Sequence, residues 1–173
     1  MKYSLYKPTP YRDKNDPSSF AGSAISFNLW KMQDGPTIML ECVKQKSWDE
    51  AGRKASFYNL KANPEKGFRV KFNEKEAGEF VHAVRTYGPC DLFHNFDSNK
   101  TSIKLAPTVK QAKKDGEKDK NVYTLNVTRN GSLSFYVGLE LAEAEVIRVF
   151  FEEAIKEILW AANKFEFKEE AAE

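Results

Sequence analysis

Apolar and polar residues alternate over residues 23–30, with Ile25, Phe27 and Leu29 on one side and Ser26, Asn28 and Trp30 on the other. A period of two is the signature of a half-buried strand. Gln33-Asp34-Gly35-Pro36 supplies turn residues, and the alternation resumes over 37–44 through Ile38, Leu40 and Cys42. Residues 48–52 read as a loop, and residues 54–61 and 67–72 as two further strands turning at 63–67. At Asn73 the period lengthens to 3.6. Asn73 with Glu76 three residues on has capping-box spacing, Ala77, Phe80, Val81 and Val84 share one helical face, and Gly88-Pro89 ends the helix. Strands are predicted again at 90–96, 101–108, 122–128 and 132–139, the last two joined by Arg129-Asn130-Gly131, a hairpin signal because Asn and Gly tolerate positive φ. Residues 110–121, nearly all Lys, Asp, Glu, Gly and Gln, predict a mobile loop. A second helix is predicted from Glu140 to about Lys164.

The pattern repeats. Phe68, Val70, Phe72, Glu76, Ala77 and Phe80 recur as Phe135, Val137, Leu139, Glu143, Ala144 and Ile147, each 67 positions on. Each copy is a hairpin whose last strand runs into a helix. The sequence therefore predicts an α+β fold of duplicated four-strand-plus-helix units, with two antiparallel sheets packed against two helices. Residues 1–20, rich in Pro, Tyr, Ser, Asp and Lys, read as an irregular arm. Residues 21–163 read as one domain, with repeats at 21–88 and 89–163, and residues 164–173 as an acidic tail.

The 173 residues can bury a sizeable core. No run of about 18 apolar residues predicts a membrane span, and the first residues lack the apolar stretch of a secretory signal. Cys42 and Cys90 are too few for a disulfide framework and read as small buried apolar residues in a reducing, intracellular compartment (cytoplasm or nucleoid, or the host cell for a viral protein). The net charge of +2 conceals an asymmetry. Residues 132–173 carry 4 basic and 10 acidic side chains, whereas residues 1–131 carry 23 and 15. A basic body with an acidic end points to nucleic-acid contact.

Several segments resemble the Whirly family of single-stranded nucleic-acid-binding proteins. Lys71-Phe72-Asn73-Glu74-Lys75-Glu76-Ala77-Gly78-Glu79-Phe80 is similar to its strand–helix step. Cys90-Asp91-Leu92-Phe93-His94-Asn95-Phe96 resembles its Cys-Glu-Phe-Phe-His-Asp-Pro segment. Ser102-Ile103-Lys104-Leu105-Ala106-Pro107 resembles Val-Leu-Lys-Val-Glu-Pro, and Tyr123-Thr124-Leu125-Asn126-Val127 resembles Phe-Phe-Asn-Leu-Ser-Val. The resemblance covers roughly residues 20–162 and implies a tetramer. The broader superfamily, which includes transcriptional positive cofactor four and trypanosomatid guide-RNA-binding proteins, keeps an RNA ligand open. Where plant members carry Lys-Gly-Lys-Ala-Ala-Leu, this chain has Phe20-Ala21-Gly22-Ser23-Ala24-Ile25 without either lysine. Plant-type assembly beyond a tetramer is not expected.

Binding single strands takes cations for phosphates and aromatic rings for stacking, each stack worth about 1–3 kcal/mol. With Phe68, Val70 and Phe72 turned inward, Arg69 and Lys71 face outward. Alternation adds Asn28, Trp30, Lys54, Tyr58, Lys104, Asn126 and Tyr136, with Trp48, Lys44 and Lys46 in the adjoining loop. A register slip of one residue would bring out Phe57 in place of Tyr58. The plain counter-reading is a solvated face with scattered surface aromatics. The mixed charges of 110–120 favour a solvated loop over a phosphate clamp. On the second helix, Ala144, Ile147, Phe151, Ala154, Ile155, Ile158 and Leu159 would face the sheet. Val146, Val149, Phe150 and Trp160 widen the apolar surface and predict a homo-oligomer.

The chain has no Walker loop and no Gly-x-Ser-x-Gly, so no enzyme is expected. Asp91, His94 and Asp97 are too few and too scattered on a strand for a metal site, His82 reads as a helix-edge residue, and no cofactor is implied. The expectation is a sequence-tolerant single-stranded DNA-binding protein of replication, recombination, repair or transcription. Its acidic tail would compete for the groove or recruit replication or transcription proteins. The alternatives are an RNA-binding or RNA-annealing factor and a protein–protein adaptor.

Overall fold

Residues 2–7 form a strand rather than part of an irregular arm. In the computed structural model β1 (Lys2–Lys7) pairs antiparallel with β2 (Phe20–Met32), with Leu5 opposite Ile25 and buried. Its alternation spans only Tyr3 and Leu5 before Pro8 and Pro10, too short a run to stand out from the composition. The structure describes residues 1–33, 35–112 and 116–170, with side chains through residue 162 of the last helix. The side chains of the tail expected at 164–173 therefore lie outside the described residues, as do Lys113, Lys114 and Asp115 of the predicted loop.

β3 (Gly35–Asp49) is 15 residues long and takes two partners in succession along one edge. Residues 38–43 pair with β5 (Gly67–Phe72), and residues 45–49 pair with β4 (Lys54–Phe57). The strand thus reaches two residues into the loop predicted at 48–52, whose turn occupies residues 50–53, and Lys44, Lys46 and Trp48 are strand residues. β4 stops at Phe57, well short of the predicted residue 61, and a 3-10 turn at Pro64–Lys66 leads back to β5. Because β4 is so short, the first half of β3 is left for β5 to pair with.

The second sheet is a plain meander of β6 (Cys90–Phe96), β7 (Asn99–Lys110), β8 (Lys120–Arg129) and β9 (Leu133–Glu140). Asn130 and Gly131 take φ of 52° and 68° in its last turn, as their sequence predicted. β7 and β8 extend to Lys110 and Lys120, narrowing the loop expected over 110–121. The architecture is the expected α+β one of two antiparallel sheets and two helices, with five and four strands.

α1 (Glu74–Thr86) begins with the full capping box: Asn73 Oδ1 accepts the Glu76 N–H at 2.8 Å, and Glu76 Oε2 accepts the Asn73 N–H at 2.9 Å. α2 (Leu141–Glu170) repeats half of it 67 residues later, where the Glu140 N–H donates to Glu143 at 2.9 Å. Glu143 also takes Lys7, which fastens β1 to the start of α2. The inner faces of both sheets and the facing sides of both helices form one continuous core, centred on Phe27, Phe72, Phe80 and Phe151.

Ala144, Ile147, Phe151 and Ala154 point into this core as predicted. Two expectations for α2 need correction. Phe150 is buried against Phe27 within the subunit, whereas Leu159, expected inside, is 52% exposed next to Ile158, which still packs against the core. Val146 and Val149 remain exposed.

Candidate nucleic-acid interface

Two sheets that share a core turn their outer faces away from it, so the residues predicted for binding fall into separate groups. On the first sheet, Asn28, Met39 and Lys71 form one cross-strand row, and Ser26, Glu41 and Arg69 form the next. Trp30 lies beyond the first row, and the Arg69 guanidinium sits 5.1 Å from its ring centroid while Nε donates to Glu41 at 2.7 Å. A cation stacked on an indole and fixed by a carboxylate is a rigid platform. Asn28 belongs to this face but is only 8% exposed, because it is small and lies between longer neighbours. It forms the floor of the face rather than a projecting contact. Asn28, Trp30, Arg69 and Lys71 are thus brought together.

Trp48, Lys54 and Tyr58 lie elsewhere, roughly 35 Å along the path of β3 from the row of Trp30 at about 3.3 Å per residue, and do not share a face: Trp48 stands opposite Ala55 on the outer side, whereas Lys54, expected there too, stands opposite Asp49 on the other side. Trp48 Nε1 donates to Glu50 at 2.5 Å, and Lys54 pairs with Asp49 across the ladder. Tyr58 is off the outer face. Its hydroxyl donates to the Ser18 carbonyl at 3.3 Å, and the Lys66 ammonium lies 5.6 Å from its ring. A register irregularity between Gln45 and Ser47 breaks the alternation, and Phe57 takes the outer position against Tyr6, ring centroids 5.3 Å apart.

The third group is a true row on the second sheet. Asp91, Lys104, Asn126 and Tyr136 stand side by side across β6 to β9. Tyr136 is 65% exposed, and Phe93, which the sequence reading passed over, is exposed one row away.

Between the sheets lies a cleft of about 610 Å³, lined by Met39, Arg69 and Lys71 from the first sheet, Asn73 and Glu76 from the start of α1, and His94, Phe96, Asn99, Thr101 and Arg129 from the second sheet. Arg129 builds its wall. One guanidinium nitrogen donates to the Arg69 carbonyl on the free edge of β5 at 2.7 Å, Nε donates to Thr101 Oγ1 at 3.2 Å, and the group lies 4.2 Å from the Phe68 ring centroid. Burial lowers its pKa from the ordinary arginine value, in keeping with a cation drawn into a seam. His94 Nε2 is shielded from solvent 3.3 Å from Glu76 Oε1, without hydrogen-bond geometry. The cleft combines three cations with an exposed phenylalanine and an apolar Met39 wall, which suits a charged polymer bearing flat rings.

Sequence reasoning named Arg69 and Lys71 but missed Met39, Glu76, His94, Phe96, Asn99 and Arg129. Arg129 read as a turn residue and Phe96 only as the last residue of a strand, and no local pattern says that two sheets meet at them. Among the described residues no three His, Cys, Asp or Glu side chains cluster as a metal site. Cys42 and Cys90 are buried as read, and burial pushes their thiols up, that of Cys90 to about 11.

No protein-family model matches the sequence, and no curated protein matches it either. The fold does have counterparts. WHY3 of Arabidopsis thaliana superposes with a TM-score of 0.55 at 16% identity over 100% of this chain and 97% of its own. WHY1 of the same plant gives 0.52 at 14% identity over 91% and 90%. The plant transcriptional regulator PBF-2 gives 0.53 at 15% identity over 96% and 87%. These are Whirly proteins, and this chain has their fold along nearly its whole length.

Proposed function

We propose that this chain binds single-stranded DNA with little regard to sequence, on the outer face of the first sheet and the adjoining cleft. The observation that carries the reading is the convergence of Trp30, Arg69 and Lys71 beside a cleft that adds Arg129 and Phe96. Bases stack on the aromatics and phosphates pair with the cations, a combination tolerant of sequence because every base has a flat face. The likeness to a plant transcriptional regulator supports a nucleic-acid role. We assign the activity to replication, recombination, repair or transcription inside the cell, without catalysis.

The exposed Val146 and Val149 on α2 support self-association, with a tetramer favoured. The acidic end of the chain would serve as a docking point for replication or transcription proteins. The test is a titration of labelled oligothymidine, the matching RNA and a duplex across a salt series. Tight, salt-sensitive binding to DNA single strands is expected. Preference for RNA would move the ligand to the second reading on the same fold, and no binding at low salt would leave an adaptor.

A further inference from the structure

We propose that the cleft between the sheets admits one base of the bound strand and prefers guanine, read by the Glu76 carboxylate. This rests on the single-strand reading above and deepens it.

Glu76 is the anomaly of the site. The other charged groups of this cleft, Arg69, Lys71 and Arg129, suit phosphate, while a carboxylate among them repels it. The same carboxylate rewards N–H donors. Its orientation is fixed by the capping box, in which Oε2 takes the Asn73 N–H at 2.9 Å while its own N–H is held by Asn73 Oδ1. Oε1 faces His94 Nε2 at 3.3 Å without hydrogen-bond geometry, and an ionised carboxylate offers about four acceptor sites, so these two neighbours leave capacity for further donors. Met39 and Phe96 supply apolar walls, and Phe96 is 75% exposed and so open to stacking. The cleft volume of about 610 Å³ accommodates a small planar ligand.

The choice of base follows from its edge. Guanine presents two adjacent donors, N1–H and the N2 amino group, to a carboxylate. Thymine offers one donor flanked by two carbonyls that the carboxylate repels, and adenine and cytosine each set an amino donor beside a ring acceptor. The adjoining edge of guanine carries the O6 and N7 acceptors, the groups that Arg and Lys recognise, and Arg69, Lys71 and Arg129 share the cleft.

The test uses the full chain and an all-thymine oligonucleotide in which one central base is replaced by guanine, inosine, adenine or cytosine, with Kd measured by fluorescence anisotropy. The guanine strand is expected to bind about tenfold tighter than all-thymine, and inosine, which lacks the N2 amino group, to lose most of that gain. In Glu76→Gln the capping box survives, because Gln serves at this position as Glu does. The variant is expected to lose the guanine preference, bringing the guanine and all-thymine strands to within about twofold of each other. Equal affinity for every strand in the wild type, or a preference that persists in Glu76→Gln, would overturn the base assignment alone. Failure of every strand to bind would overturn the single-strand reading with it.

Discussion

Phe68 and Phe135, 67 residues apart in the chain and equivalent in its internal repeat, meet edge to face with ring centroids 5.3 Å apart. Arg85 and Glu152 stand in the same relation and form an ion pair at 2.6 Å. Residues equivalent in the repeat therefore touch at two places, once where the sheets meet and once where the helices meet. Each ring also carries a cation: Arg129 at 4.2 Å from Phe68 and Lys44 at 5.4 Å from Phe135. The repeat is therefore an interface between half-domains as well as a pattern in the sequence.

If the two rings support each other, they are energetically coupled. A double-mutant cycle on Phe68→Leu and Phe135→Leu, read by urea unfolding, is expected to give a coupling of about 0.5–1.5 kcal/mol. Strict additivity would show that the rings are merely buried side by side.

Arg129 closes the free edge of β5 through the Arg69 carbonyl. Arg129→Met keeps much of the side-chain stem over Phe68 but leaves that carbonyl unpaired, with an expected loss of about 1–3 kcal/mol in urea unfolding. An unchanged midpoint would mean that water replaces the guanidinium without cost.

The binding face is tested by contrast between the sheets. Trp30→Ala is expected to weaken binding to oligothymidine by about 1–3 kcal/mol. Lys71→Ala is expected to lower the salt slope by about 0.7 for one lost phosphate contact. Tyr136→Ala, on the opposite sheet, is expected to leave both nearly untouched. A larger effect at Tyr136 than at Trp30 would move the strand to the second sheet.

The segment before β2 is clasped by Asp16, which takes Lys66 at 2.7 Å along with Ser18 and Ser19. The Lys66 hydrogen bond, then those of the two serines, hold its carboxyl well below the ordinary 3.8. A folded-state pKa depressed in this way gives stability that is fully present above the ordinary value and lost as the pH falls through the depressed one. Asp16→Asn is expected to lower the urea midpoint slightly at pH 7, and the difference from wild type should shrink steadily once the pH drops below about 4. A difference that persists unchanged in acid would locate the effect in something other than the ionised carboxylate.

Val149 is 47% exposed on α2. Val149→Glu is expected to shift the assembly to smaller species in sedimentation velocity at fixed concentration, with the monomer fold intact by circular dichroism. An unaltered sedimentation coefficient would place the subunit contact elsewhere.

What the sequence determined by itself is whatever depends on neighbours a few residues apart. The Asn73–Glu76 cap, the Asn130-Gly131 turn, the inward set Phe68, Val70 and Phe72, and the 67-residue repeat are all set by steric and hydrogen-bonding rules that act locally. Arg69 and Lys71 followed from the same alternation. Tertiary structure alone decided which strands meet. β5 pairs with β3 instead of β4, an irregularity after Gln45 turns Phe57 outward and Tyr58 aside, and Arg129 crosses the seam to the other sheet. Those outcomes depend on competition among distant partners for the same edge, and the short β4 left half of β3 open to β5. The cleft exists because both sheets bury their inner faces in one core, which brings residues far apart in the chain, Met39 and Arg129 among them, to a common wall.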